Sequence, residues 1–246
     1  MVSGRRRDRF LVTCEHGGCR IPQRYRALFK DQEALLASHR GYDAGAIDMA
    51  RSLARRLGAR LVGATTSRLL VDLNRSVGHP HLFSEFTRTL PPAARQRILE
   101  RNYHPYRARV EDLVARDVAR GWRVVHVSAH SFTPQLDGIT RRADVGLLYD
   151  PRRPGEAALC ARWKRALGQG DPDLRIRRNY PYLGRGDGLT AHLRTVFAAH
   201  RYVGIELEVN QRIVRSGRSD WARLRALAGD CLCAAMGRER GQGVRP

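Results

Sequence analysis

Short apolar runs alternate with amphipathic stretches along nearly the whole chain, and the two periods predict different elements. Near-continuous apolar runs at 9–14 (RFLVTC), 60–64, 68–73, 122–128 (WRVVHVS), 144–149, 174–178 and 201–209 (RYVGIELEV) predict strands, several of them buried on both faces. Between them the spacing predicts helices. In 43–57, Ile47, Ala50, Leu53, Ala54 and Leu57 share one face, Asp43 opens the segment and Gly58 stops it. Residues 91–120 open on two prolines and stay amphipathic, with Pro105 marking a kink or break. Helices are also predicted over 154–168, 187–200 and 219–236. The alternation predicts a single α/β domain over 1–246, with a central, mostly parallel mixed sheet covered by helices on both faces. No repeat, low-complexity tract or linker divides it, and the polar ends, 1–7 and 237–246, are expected to fray.

Composition narrows the class. A chain of 246 residues, 42% hydrophobic, can bury one sizeable core. No apolar run is long enough to span a bilayer, so no membrane partner is expected. The basic start, MVSGRRRDRFLV, lacks the apolar stretch and cleavage site of a secretory signal, and the expected location is cytoplasmic. Five cysteines (14, 19, 160, 231 and 233) are an odd count at low density, which fits small buried or half-buried thiols in a reducing compartment. The formal charge of +21 points toward nucleic acid. Against that, Lys30 and Lys164 are the only lysines, and the arginines run along the whole chain instead of forming one stripe interleaved with aromatics. Solvated helix faces account for them better.

In open α/β sheets, ligands bind at the carboxyl ends of the strands, so the informative residues are polar groups placed there. Glu15 and His16 follow the first predicted strand, Asn74 and Arg75 the run at 68–73, and His130 the run at 122–128. Glu206 and Glu208 lie within the last, and His39 and Asp43 precede the first long helix. A lone histidine is usually structural, but two at strand ends with acids and an arginine nearby suit metal-assisted hydrolysis. A catalytic zinc takes three His or Asp/Glu ligands and leaves a position for water, whose pKa it lowers. A glutamate outside that set moves the proton, and an arginine fork holds a substrate carboxylate.

The motifs CEHGGCRIP, HRGYDAGA, DLNR, SAHSFTP and GIELEVNQ, in this order over about residues 10–235, resemble the N-formylglutamate amidohydrolase family. The resemblance implies a fold similar to zinc carboxypeptidases and aspartoacylase (zinc-exopeptidase-like, phosphorylase/hydrolase-like), one Zn2+ per chain, and cleavage of the amide of a small N-acyl amino acid or related peptide. It implies His16 and His130 as zinc ligands, Glu206 as general base, and Asn74 and Arg75 as holders of a substrate carboxylate; Glu208, two residues on and so on the same side of the strand, is the runner-up base and a candidate for substrate binding. The carboxylate ligand is open between Asp43 and Glu15, since Cys19 occupies the position where zinc carboxypeptidases place it. Neighbouring side chains on an extended strand point to opposite faces, which favours Asp43 beside His16. Glu15 would then orient a ligand imidazole or bind substrate. Gly17 and Gly18 are expected to turn the chain away from His16, leaving its imidazole exposed. The family places GRGDG beside the active site, so Arg185 and the helix start after it are candidates for an anionic group.

A second class of function competes with this one: a retired hydrolase scaffold that binds RNA or another acidic partner. It predicts steep salt dependence of binding and no zinc.

Overall fold

The computed structural model describes residues 7–237. The tails expected to fray lie outside the described residues, apart from Arg7 and Gly237. Among the described residues there are eight strands: β1 Asp8–Cys14, β2 Arg60–Gly63, β3 Arg123–Phe132, β4 Gln135–Leu136, β5 Ile139–Thr140, β6 Val145–Leu148, β7 Ile176–Arg178 and β8 Tyr202–Asn210. The α-helices are α1 Glu33–Leu36, α2 Ala46–Leu57, α3 Pro92–Ile98, α4 His104–Ala119, α5 Pro154–Gly170, α6 Leu189–Val196, α7 Gln211–Arg215 and α8 Arg218–Ala235.

Six strands form one sheet in the order β2-β1-β3-β8-β6-β7. All neighbours are parallel except β6 and β8, which run antiparallel, so the sheet is mixed and mostly parallel. One face is apolar throughout. Phe10, Val12, Val125, Val127, Val203, Ile205 and Leu207 pack there under α2, α5 and α8, around the buried Trp163. The opposite face starts equally apolar, with Leu11, Val124 and Tyr202 beneath Val110 and Val114 of α4 and Leu189 and Leu193 of α6. Its character changes toward the carboxyl ends of the strands. Thr13 pairs in register with Ser128, Ser128 with Glu206, and His130 with Glu208. Successive residues on one face lie two apart, so these side chains make a polar quarter on one side of the sheet.

Three predicted features differ. The run at 68–73 is not a strand: Arg68–Leu70 form a turn, and Leu69, Leu70, Val71 and Leu73 fill a separate apolar cluster with Phe29, Leu82 and Ile98. Buried backbone groups must find partners whether or not a sheet supplies them. Here the Leu69 amide donates to Ser67 Oγ, the Thr87 hydroxyl donates to the Leu70 carbonyl at 3.1 Å, and the Asp72 amide donates to Leu82. The strand predicted at 122–128 continues to Phe132, which puts His130 inside β3. The break expected at Pro105 is a wide π-turn, Leu99–Tyr103, after which the proline sits harmlessly in the first turn of α4.

The segment 179–188 is clamped against the end of β6. A Cβ on Gly184 would lie 2.0 Å from the Tyr149 amide nitrogen. Gly184→Ala is expected to cost about 3 kcal/mol, the upper end of ordinary overpacking, because a backbone atom cannot swing aside. A urea titration of the variant against the parent measures it.

Candidate active site

Three side chains converge at the carboxyl ends of β1 and β3 and the loop before α2. His16 follows β1, His130 lies near the end of β3, and Asp43 is held beside them because its amide donates to the His16 carbonyl at 2.9 Å. All three are buried, and His16 Nδ1 or Nε2, an Asp43 oxygen and a His130 ring nitrogen all lie within 4.8 Å of one another. The far side of each imidazole is occupied. His16 Nε2 lies 2.7 Å from Asp72 Oδ1, and His130 Nε2 lies 3.1 Å from Glu15 Oε2 and 2.8 Å from Ser128 Oγ. Donation of both Nε2–H groups to carboxylates leaves the Nδ1 lone pairs facing Asp43 Oδ2, at 3.4 Å from His16 and 2.9 Å from His130. Buried His16 Nδ1 has no hydrogen-bond partner. Without an ion, His130 carries a second proton and its Nδ1 donates to Asp43, while His16 Nδ1 still finds no partner; with both Nδ1 atoms deprotonated, the N, O, N donor set fits a divalent metal.

The charges follow from these contacts. Burial and the Arg68 charge push His16 down to about 4, so it is neutral at pH 7. Burial would lower His130 as well, but the hydrogen bond and charge of Glu15 raise it to about 9 in the absence of an ion. Glu15 is held well below the usual carboxylate range: its bonds to His130, Ser128 and Thr13 outweigh its complete burial. The polar quarter continues behind it, since Tyr106 donates to Glu15 Oε1 at 2.8 Å and His126 bridges Thr13 at 2.8 Å and Tyr202 at 2.7 Å.

A cleft of about 420 Å³ opens onto the three residues, and Arg68, Asn74, Arg75, Glu206 and Glu208 line it with them. Glu208 is level with His130 across the sheet; its Oε2 is buried without a partner, and burial raises its carboxyl to about 7. Glu206, one step back along β8, accepts a 2.7 Å bond from the Thr190 hydroxyl. Asn74 Oδ1 accepts from the Leu189 amide at 2.7 Å, so the first amide of α6 is already taken. Arg75 donates to the Asp187 carbonyl at 3.1 Å, and its buried Nε is unpartnered.

Several expected residues sit elsewhere. Glu15 does not face the cleft: it lies behind His130 with both oxygens bonded to neighbours, which leaves nothing for a substrate. Arg185 is exposed and is not among the residues lining the cleft. Gly17 and Gly18 are not in the left-handed region and do not expose His16, which is buried. They are needed for close approach, since a Cβ on either would lie 2.8 Å from the carbonyl oxygen of Ala64 or Thr65. Two contributors were not singled out in the sequence. Asp72 stands in the DLNR motif, two residues before Asn74, and could have been found from that. Arg68, which reaches Asp43, was hidden in a run that read as a strand.

A model of the N-formylglutamate amidohydrolase family matches residues 8–215. Among solved structures, the gene product Atu2144 from Agrobacterium tumefaciens superposes with a TM-score of 0.80 at 29% identity, covering 93% of this chain and 90% of that one. N-formylglutamate amidohydrolase from Ralstonia eutropha JMP134 superposes with a TM-score of 0.67 at 20% identity, covering 95% of each chain. No curated protein matches the chain.

Proposed function

The chain belongs to the N-formylglutamate amidohydrolase family, and from that premise we propose that it is a zinc-dependent hydrolase of N-acyl amino acids. His16 Nδ1, Asp43 Oδ2 and His130 Nδ1 would hold the ion. The observation that carries this reading is the buried, unpartnered His16 Nδ1 facing Asp43 and His130, with a carboxylate behind each ring. When bound there, zinc acidifies a water and polarises the acyl carbonyl.

The surrounding side chains have separable roles. Glu208 Oε2 accepts the proton of the attacking water and returns it to the amine nitrogen as the carbon–nitrogen bond breaks. Its support is position beside His130, an oxygen without a partner, and a carboxyl raised toward the range suited to proton transfer at neutral pH. Glu206, the residue favoured by the motif, is tied to Thr190 and serves to shape the cleft. The buried, unpartnered Arg68 Nε is available to the acyl oxygen, where negative charge develops. Arg75 offers its fork to the substrate carboxylate. Asn74 fixes the start of α6 against it.

A nucleic-acid role finds no support in the arrangement of charge. Arginines pair with carboxylates all round the fold: Arg123 with Asp8, Arg175 and Arg212 with Asp144, Arg223 with Asp171. The test is release of free amine from N-formyl amino acids. Turnover is expected to vanish after chelation and to return with about one equivalent of zinc. Undiminished turnover in metal-free protein would overturn the reading.

A further inference from the structure

Within that hydrolase reading, the cleft carries information about the amino-acid side chain of the substrate. A dicarboxylic substrate such as N-formylglutamate brings two negative groups, and each requires a cationic or strongly donating partner once it leaves water. Among the described residues lining the cleft, the cations are Arg68 and Arg75, and Arg68 is already engaged by Asp43. Arg75 therefore serves one carboxylate. A second would find only neutral donors, such as Asn74 and Ser131, and would meet the carboxylates Asp187, Glu206 and Glu208.

Two residues that the 179–188 segment gives to the rim are apolar instead. Tyr182 and Leu183 line the cleft while 47% and 58% exposed, placing two of the few exposed large apolar side chains side by side at its mouth. Single exposed apolar residues are commonplace, but adjacent ones on the wall of a binding cleft mark a contact surface. Tyr182 is also held in place. The Arg141 guanidinium lies over its ring at 5.2 Å and donates to its hydroxyl at 3.1 Å. That contact engages the Arg141 guanidinium on the tyrosine.

We propose that this enzyme takes N-acyl amino acids with a single carboxylate and an apolar side chain, and that Leu183 and Tyr182 set that preference. The α-carboxylate rests on Arg75, and the side chain covers Leu183 and the Tyr182 ring. Selection works twice, through apolar contact for the favoured side chain and through unpaired negative charge against an acidic one.

The experiment compares kcat/KM for N-formyl-L-leucine and N-formyl-L-glutamate with the zinc-loaded protein. Leucine is expected to lead by at least about tenfold, the range that apolar pocket contacts deliver. Leu183→Ser is expected to narrow that ratio by lowering the leucine value more than the glutamate value. Hydrolysis of both with glutamate ahead, and with that lead lost in Arg185→Ala, would overturn the preference while leaving the hydrolase reading intact. Hydrolysis of neither, at any zinc loading, would overturn the hydrolase reading and the preference with it.

Discussion

Replacing His130 with alanine is expected to lower kcat/KM by about a thousandfold or more and to leave the purified protein without zinc. Three donors face the site, and His130 supplies the one most firmly oriented: Glu15 and Ser128 hold its Nε2, which turns Nδ1 toward Asp43. Its loss also strands Glu15. That carboxylate is fully buried and owes its charge to His130 first among its bonding partners. The variant should therefore lose stability as well as activity, and a second variant separates the two. Glu208→Gln keeps the donors and the shape of the strand, so it is expected to bind zinc at parental stoichiometry while kcat falls about a hundredfold to ten-thousandfold. Elemental analysis beside a kinetic assay reads both. Zinc retained by His130→Ala with turnover intact would refute the assignment of the site; full activity in Glu208→Gln alongside an inactive Glu206→Gln would move the base one step back along β8.

What the sequence disclosed, and what it hid, follows from the range of the interactions concerned. His16, Asp43 and His130 are legible because each stands near the end of a strand or the start of a helix, where periodicity changes. Glu15 and His16 do point to different neighbours, but through a turn after β1 and not through the alternation of a strand. The destination of Glu15 was not visible, because it depends on β3 lying beside β1 with Thr13 level with Ser128. The segment 68–73 misled for a related reason. Its apolar content was read correctly as buried, but its backbone is satisfied by residues such as Thr87 and Leu82, which no local pattern connects to it. Arg68, which pairs with Asp43, and Asp72, which pairs with His16, are obscured along with it. The glycines after His16 matter for close approach and not for the turn their sequence suggests. A neighbouring backbone presses on them, and only a fold reveals a neighbour.

Glu156 is the extreme case of a residue the sequence undervalues. In the linear chain it is an acidic group in the first turn of an amphipathic helix, where carboxylates are common and worth little. In the fold it is completely buried, and its two oxygens accept from the Asp150 amide at 2.9 Å, the Gly204 amide at 3.1 Å and Arg194 Nε at 3.0 and 3.2 Å. Arg194, itself only 6% exposed at its side chain, passes the contact on to the carbonyls of Gly184 and Gly204 at 2.5 and 2.8 Å. One ion pair thus joins α5, α6, β8 and the segment that carries Tyr182 and Leu183. Glu156→Ala is expected to destabilise the protein by about 3–5 kcal/mol, because it leaves the Arg194 charge buried without its counterion. The double variant Glu156→Leu with Arg194→Met removes both charges and should recover much of that loss in a urea titration. Activity should not recover with it, since the Gly184 carbonyl keeps no donor and the cleft wall is no longer held. A single variant within about 1 kcal/mol of the parent would mean that water or another group neutralises Arg194, and the coupling of core to cleft through this pair would fail.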